Sequence, residues 1–284
     1  MKPTNLLITA TFLVLTFFTS CQKENSTTTD SESAIEATFE LSADQATTDL
    51  LNEDDNDILS EAAEEKNLLG SFAPDPLVSN NLLVCAAITV TPQVGFPKTI
   101  LIDFGPVNCI DSFGVSRRGK INIVISDTLR RPGSIAVMTF DGYYVNEFKR
   151  EGTHTWTNTS TATTRSWQRK IENGKITAPN GNFWLHNSIR EVIQTSGGST
   201  ARNLRDDIFS IKGNASVTNP AGITRTATII EPLQKKYICP YIDKGRIKFQ
   251  GPNHFSVLDY GNGECDRFAT IAIDGRPPRI ITIR

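Results

Sequence analysis

The chain has 284 residues, 38% of them hydrophobic, with 29 Lys or Arg against 31 Asp or Glu and a net charge of −2. The near-neutral total joins two opposite halves: residues 22–70 hold fourteen acidic and two basic side chains, a net of −12, and residues 71–284 hold 26 basic and 17 acidic, a net of +9. The Lys and Arg of the second half are dispersed rather than clustered, which excludes a nucleic-acid-binding patch, and the apolar run Leu6 to Phe18 falls short of the roughly 20 residues that cross a bilayer.

The first element is a signal peptide over 1–20. Lys2 supplies a positive start, Leu6 to Phe18 the apolar stretch, and Thr19-Ser20-Cys21 the small residues and cysteine that close it. The cysteine directly after small residues resembles a bacterial lipoprotein signal, which implies that Cys21 carries acyl chains and becomes the N-terminus; an ordinary cleaved signal with an incidental cysteine is the alternative. Several acyl chains anchor a protein, because each buried CH₂ contributes about 0.8 kcal/mol. The protein is thus expected at the outer membrane, lipid-anchored, on its periplasmic or surface-exposed face.

Residues 21–33 are Ser, Thr and acidic, with little to bury, and read as a disordered tether. Residues 34–73 are acidic with sparse apolar positions (Ile35, Phe39, Leu41, Leu50, Leu51, Ile58, Leu59) and no Gly or Pro before Gly70. One or two short amphipathic helices are expected there. Either their acidic faces lie against the basic body, or the segment is a solvated spacer.

From residue 74 to 284 the period changes to two, and a single β-rich domain is expected. Strands are predicted over 82–90, 99–104, 120–125, 134–140 with an extension to 145, 148–156, 163–171, 183–194, 208–217 and 223–230. Two more lie around Arg246 and Val257. Asp141-Gly142, Asn173-Gly174, Asn180-Gly181 and Gly197-Gly198 mark the turns. Gly119-Lys120-Ile121, Gly174-Lys175-Ile176 and Gly245-Arg246-Ile247 are each expected to start a strand, with Lys or Arg toward water and Ile toward the core. No helical stretch is available for a parallel crossover. The fold class is therefore all-β: a long antiparallel meander in a strongly twisted sheet folded on itself, with a β-sandwich as the alternative, preceded by the short helical acidic segment.

One phrase is written twice. Asp103-Phe104-Gly105 is followed four residues later by Cys109, and Asp259-Tyr260-Gly261 four residues later by Cys265. An apolar residue and a cysteine precede each copy: Val84-Cys85 and Ile238-Cys239. With Cys21 lipidated, four cysteines remain, and these allow three pairings. The repeat favours Cys85–Cys109 and Cys239–Cys265; stapling the first strand to the last through Cys85–Cys265 is the alternative.

Asp103, Asp111, Asp259 and Asp266 around these phrases either cap tight turns or hold calcium, and turn capping is the better reading. The cysteines and the three scattered histidines (His154, His186, His254) lack zinc-site spacing, so no metal or other cofactor is expected. Trp156, Trp167 and Trp184 on successive strands are either core packing or, if exposed together, a stacking surface for a ligand. Motifs for a nucleophile elbow, a zinc protease or a phosphate loop are absent, so no catalytic residue is assigned.

The lipidation sequence, the acidic spacer, the Gly-Lys-Ile phrases, Arg131-Pro132-Gly133-Ser134, Phe140-Asp141-Gly142-Tyr143-Tyr144-Val145-Asn146 and the twin Asp-aromatic-Gly-x₃-Cys repeats together resemble uncharacterised lipoproteins of Bacteroidota. The resemblance implies a membrane partner through the N-terminal lipid and transfers no functional residue. The expected function is a non-enzymatic binding or scaffolding protein of the outer membrane. A carbohydrate- or lipid-binding accessory protein is the alternative, and a hydrolase the second alternative.

Overall fold

A computed structural model of the protein describes residues 26–70, 82–111, 113–200 and 204–283. The segment expected to be a signal peptide, the expected lipidation site Cys21 and the stretch up to residue 25 lie outside the described residues, as does 71–81. Those that are described form one helix, α1 (Ser26–Glu65), one short 3₁₀ turn and fourteen strands. The strands are β1 (Ala87–Thr91), β2 (Lys98–Asp103), β3 (Cys109–Ile110), β4 (Ser116–Ile125), β5 (Ile135–Val145), β6 (Phe148–Asn158) and β7 (Ser166–Thr177). They continue as β8 (Phe183–Ser196), β9 (Ile208–Thr218), β10 (Thr224–Lys236), β11 (Ile242–Gln250), β12 (Phe255–Asn262), β13 (Phe268–Ile273) and β14 (Arg279–Thr282).

All fourteen belong to one antiparallel sheet. Its order follows the chain from β1 to β14, except that the two-residue β3 pairs beside β2 on the end of β4. The meander expected from the sequence is therefore present, as one continuous sheet and not a two-sheet sandwich. The sheet does not close: β1 and β14 each have a neighbour on one side only.

The curvature is built from bulges. Register shifts interrupt every pairing from β4–β5 to β11–β12. Each extra residue bends its strand and adds twist. The three Gly-basic-Ile phrases sit at such shifts, inside β4, β7 and β11, and do not start strands as their turn-like composition suggested. Gly119 (φ 88°) and Gly245 (φ 106°) explain the requirement: a Cβ there would run into the backbone of Gly142 and Pro232 on the neighbouring strands β5 and β10. The expected facing is seen, with Ile121, Ile176 and Ile247 fully buried.

α1 lies in the trough of this curved sheet. It is one 40-residue helix beginning at Ser26, where a disordered tether to residue 33 and short helices were expected. A run without Gly or Pro lets the helix propagate. It ends in a Schellman cap: Asn67 takes φ 56°, Leu68 N–H donates to the Ala63 carbonyl at 2.6 Å, and Asn67 N–H to that of Glu64 at 3.0 Å. The chain then pairs with the β4–β5 loop, where the amides of Leu129 and Arg130 donate to the carbonyls of Leu68 and Leu69. From Leu41 to Glu64 every residue is buried or half-buried. No helix among the described residues is long and apolar enough to cross a membrane.

Candidate functional site

The inner face of the sheet is polar where α1 rests on it. Period-two alternation points Arg117, Arg150, Arg190, Arg225 and Lys235 inward, and all five are buried. Each meets the helix. Arg117 pairs with Asp54 and, at 2.5 Å, with Asp111; Arg150 pairs with Asp55. Arg190 lies 3.2 Å from Asp49, Lys235 3.4 Å from Asp57, and half-buried Arg169 2.6 Å from Glu53. Neutral contacts continue the row. Arg225 donates to the Thr38 hydroxyl, Trp184 to that of Thr48 at 2.7 Å, and the Ser42 and Ser256 hydroxyls share a hydrogen bond of 2.6 Å. Burying these charges is costly unless each is paired, and the complementary rows supply the pairs. The −12 segment and the +9 body are thus two sides of one interface.

Burial dominates the protonation chemistry. It pushes the Asp55 carboxyl up to about 6, against the pull of Arg150, and the Asp44 carboxyl, also beside Glu40, up to about 7. His186 is lowered to about 3 by burial and the Arg150 charge, and His154 falls well below its ordinary value for the same reasons. Both rings are therefore neutral at pH 7. Their centroids lie 6.4 Å apart, with His154 Nδ1 3.3 Å from Asp55.

The three tryptophans separate. Trp184 is buried under α1, edge-on to Phe148. Trp156 is buried, and its indole N–H has no hydrogen-bond partner among the described residues. Trp167 is half-buried and stands edge-on to Phe209. Trp156 and Trp167 share a partly open cavity of about 100 Å³ between the C-terminal part of α1 and strands β5 to β9. Phe209 and Tyr237 complete its aromatic walls, and Asn56, Leu59 and Ser60 form its helical side. Its charged lining is Arg130, Arg165, Arg169 and Asp207. Burial, then the neighbouring Asp206, pushes the Asp207 carboxyl up to about 6. Burial lowers Arg130, and the nearby Arg165 charge lowers it further.

The twin phrases are twin turns. Asp103 accepts from Gly105 N–H and Asp259 from Gly261 N–H, each at 2.8 Å. Asp111 accepts from the amides of Phe113 and Val115 as well as from Arg117, and Asp266 from Phe268 N–H. Backbone donors thus engage all four aspartates, the turn-capping arrangement. Phe104 and Tyr260 point into the core. The disulfides Cys85–Cys109 and Cys239–Cys265 are both formed, with Cα separations of 6.1 and 5.8 Å. They fasten loops at strand ends: Cys85 precedes β1, and Cys239 and Cys265 lie in the β10–β11 and β12–β13 connections.

Arg117, Arg150, Arg190 and Lys235 were not among the residues expected to matter, although basic residues at inward positions of otherwise alternating strands were a usable signal. Nor were Arg130, Arg165 and Asp207, which sit in or beside connections and have no periodicity. Compared with known proteins, the chain matches no family model, no curated protein and no solved structure.

Proposed function

We propose that this protein is a non-enzymatic lipoprotein of the outer membrane, tethered through acylated Cys21, whose β-body binds a small ligand at the end of its trough. The cavity flanked by Trp156 and Trp167 carries the reading: it is concave, walled by aromatic rings and furnished with a few converging polar groups, the usual make-up of a ligand site. The inward cations of the trough are engaged by the helix, so they hold the fold rather than await a substrate. A flat ligand is favoured at this cavity, because the rings of Trp156, Trp167 and Phe209 wall it. Ser26 begins the helix five residues after Cys21, which joins the anchor to the element that fills the body.

Two measurements test the proposal. Cys21→Ala, or globomycin treatment, should release the protein from the outer-membrane fraction; continued sedimentation with that membrane rules out the anchor. Trp167→Ala should abolish saturable binding in a small-molecule screen of the folded protein; an unchanged binding profile removes the cavity from the proposal.

A further inference from the structure

The cavity beside Trp156 is balanced in charge but not in hydrogen bonding. Asp207 lies beside both Arg130 and Arg165, Glu64 adds to the negative charge around Arg130, and Arg169 is paired with Glu53 at 2.6 Å. The guanidinium groups of the lining thus have their counter-charges. An ionic ligand would shed its water with none left to meet it. Two donors remain. Trp156 is 6% exposed, and its indole Nε1–H has no hydrogen-bond partner among the described residues. A buried Trp N–H ordinarily has one, since a donor left unmet forfeits its hydration. Arg169 stands directly across from Trp156 in the β6–β7 register. Its Nη1 donates to Glu53, and its buried Nε–H has no partner among the described residues. Paired cross-strand positions put these two side chains next to each other on the inner face of the sheet, and both line the cavity. The remaining walls include Trp167 and Phe209, edge to face with ring centroids 6.2 Å apart. The enclosed space, about 100 Å³, compares with the about 150 Å³ that admits benzene. It takes the edge of one ring with its substituent, and the rest of the ligand lies toward half-buried Trp167.

We infer that the cavity is a site for an uncharged planar molecule bearing a carbonyl group, its oxygen accepting from Trp156 Nε1–H and Arg169 Nε–H and its flat body laid against Trp167 and Phe209. Both unmet groups are donors, so the ligand supplies the acceptor. A carbonyl oxygen has two lone pairs and serves two donors at once. A carboxylate also accepts, but it brings a charge into a lining whose cations are already neutralised. A sugar also carries acceptors, but its puckered ring suits so small a space less well than a flat one. The inference rests on the binding role proposed for this cavity and adds the ligand class to it.

Nuclear magnetic resonance of the full chain in detergent, isotope-labelled at the tryptophan indole nitrogens, tests it with benzamide as the probe. Benzoate, toluene and methyl β-glucoside serve as comparators. Single Trp→Phe variants assign the three indole resonances. Any two of them suffice, so the wild-type spectrum decides even where Trp156→Phe does not fold. Benzamide should bind saturably and move the Trp156 indole proton downfield, as a new hydrogen bond does. Benzoate, of the same shape but charged, should bind at least about tenfold more weakly. Trp156→Phe should weaken benzamide about tenfold more than it weakens toluene, which has no acceptor; that is the scale of one hydrogen bond. A shift at Trp167 without one at Trp156, benzoate bound as tightly as benzamide, or equal losses of benzamide and toluene in Trp156→Phe overturns the carbonyl assignment and leaves the cavity a binding site. A preference for the glucoside over benzamide does the same. No shift at Trp156 or Trp167 with any of the four probes removes both the carbonyl ligand and the cavity.

Discussion

Tyr260 donates its hydroxyl hydrogen to Asp49 of the helix at 2.8 Å, fully buried. The residue in the same place of the first repeat is Phe104, which packs against Tyr143 with ring centroids 5.7 Å apart. One turn motif therefore serves two purposes. The first copy supplies a hydrophobic wedge, and the second adds a hydroxyl that pins the helix to the sheet.

Tyr260→Phe should accordingly destabilise the protein by about 2 kcal/mol, the worth of a buried hydrogen bond to a charged group. The ring still fills its space, and Asp49 keeps Arg190 and Gln45. Urea unfolding measures the change. A loss below about 0.5 kcal/mol would mean that the hydroxyl does not hold the helix.

Asp55 and Arg150 form the most deeply buried ion pair among the described residues, with both side chains at most 1% exposed. Removing one partner strands the other charge in the core, at a cost of about 3–5 kcal/mol. Arg150→Met and Asp55→Leu should each cost that much. The double variant should cost markedly less than their sum. Additive losses in this cycle would show that the two groups are not coupled.

His186 should make stability fall with acid. Its folded pKa, about 3, is depressed below the ordinary 6.5 by burial and the Arg150 charge. The unfolded chain therefore binds a proton between those values while the folded chain does not, so this contribution is complete above pH 6.5 and is lost as pH drops toward 3. Asp44 and Asp55 act in the opposite sense: their folded values, about 7 and about 6, exceed the ordinary 3.8, so their ionisation weakens the fold as pH rises through that range. The His186→Gln variant isolates the histidine. The stability difference between wild type and variant should shrink by about 1.4 kcal/mol per pH unit below 6.5. A difference constant from pH 7 to 4 would place the ring in solvent.

The disulfides close loops with sequence separations of 24 and 26 residues. Replacing Cys239 and Cys265 together by Ser should cost roughly 3 kcal/mol. Non-reducing peptide mapping should recover only the Cys85–Cys109 and Cys239–Cys265 crosslinks. A crosslink between peptides from opposite ends of the body would contradict the paired turns.

Much of the fold was legible in local pattern. Residues 183–194 and 208–217 alternate so regularly that the expected strands differ from β8 and β9 by at most two residues. The twin phrases favoured the disulfide pairs that are formed over a Cys85–Cys265 staple, and the Cα separations of 6.1 and 5.8 Å decide between them. The Gly-basic-Ile phrases misled because a bulge and a hairpin turn both ask for glycine at positive φ, and only the neighbouring strand distinguishes them. The cavity was half legible: Trp156 and Trp167 stood out as aromatics on successive strands, while Arg130 and Arg165 reach it only because two connections meet over the end of the helix.

The β-meander, the twin turns that favour the disulfide pairs and the segregation of acidic from basic residues are all written along the chain, because period two, repeated phrases and charge counts are local properties. That the acidic segment is the inside of the molecule emerges only once the chain is folded. Its polar residues do not collect on one face, and a helix with Asp49, Glu53, Asp54, Asp55 and Asp57 in succession looks solvated, since burying such charges unpaired is prohibitive. The compensating cations are Arg117 on β4, Arg150 on β6, Arg169 on β7, Arg190 on β8 and Lys235 on β10, between 63 and 178 residues away along the chain. No window on the sequence contains both halves of those pairs; the curvature of the sheet assembles them.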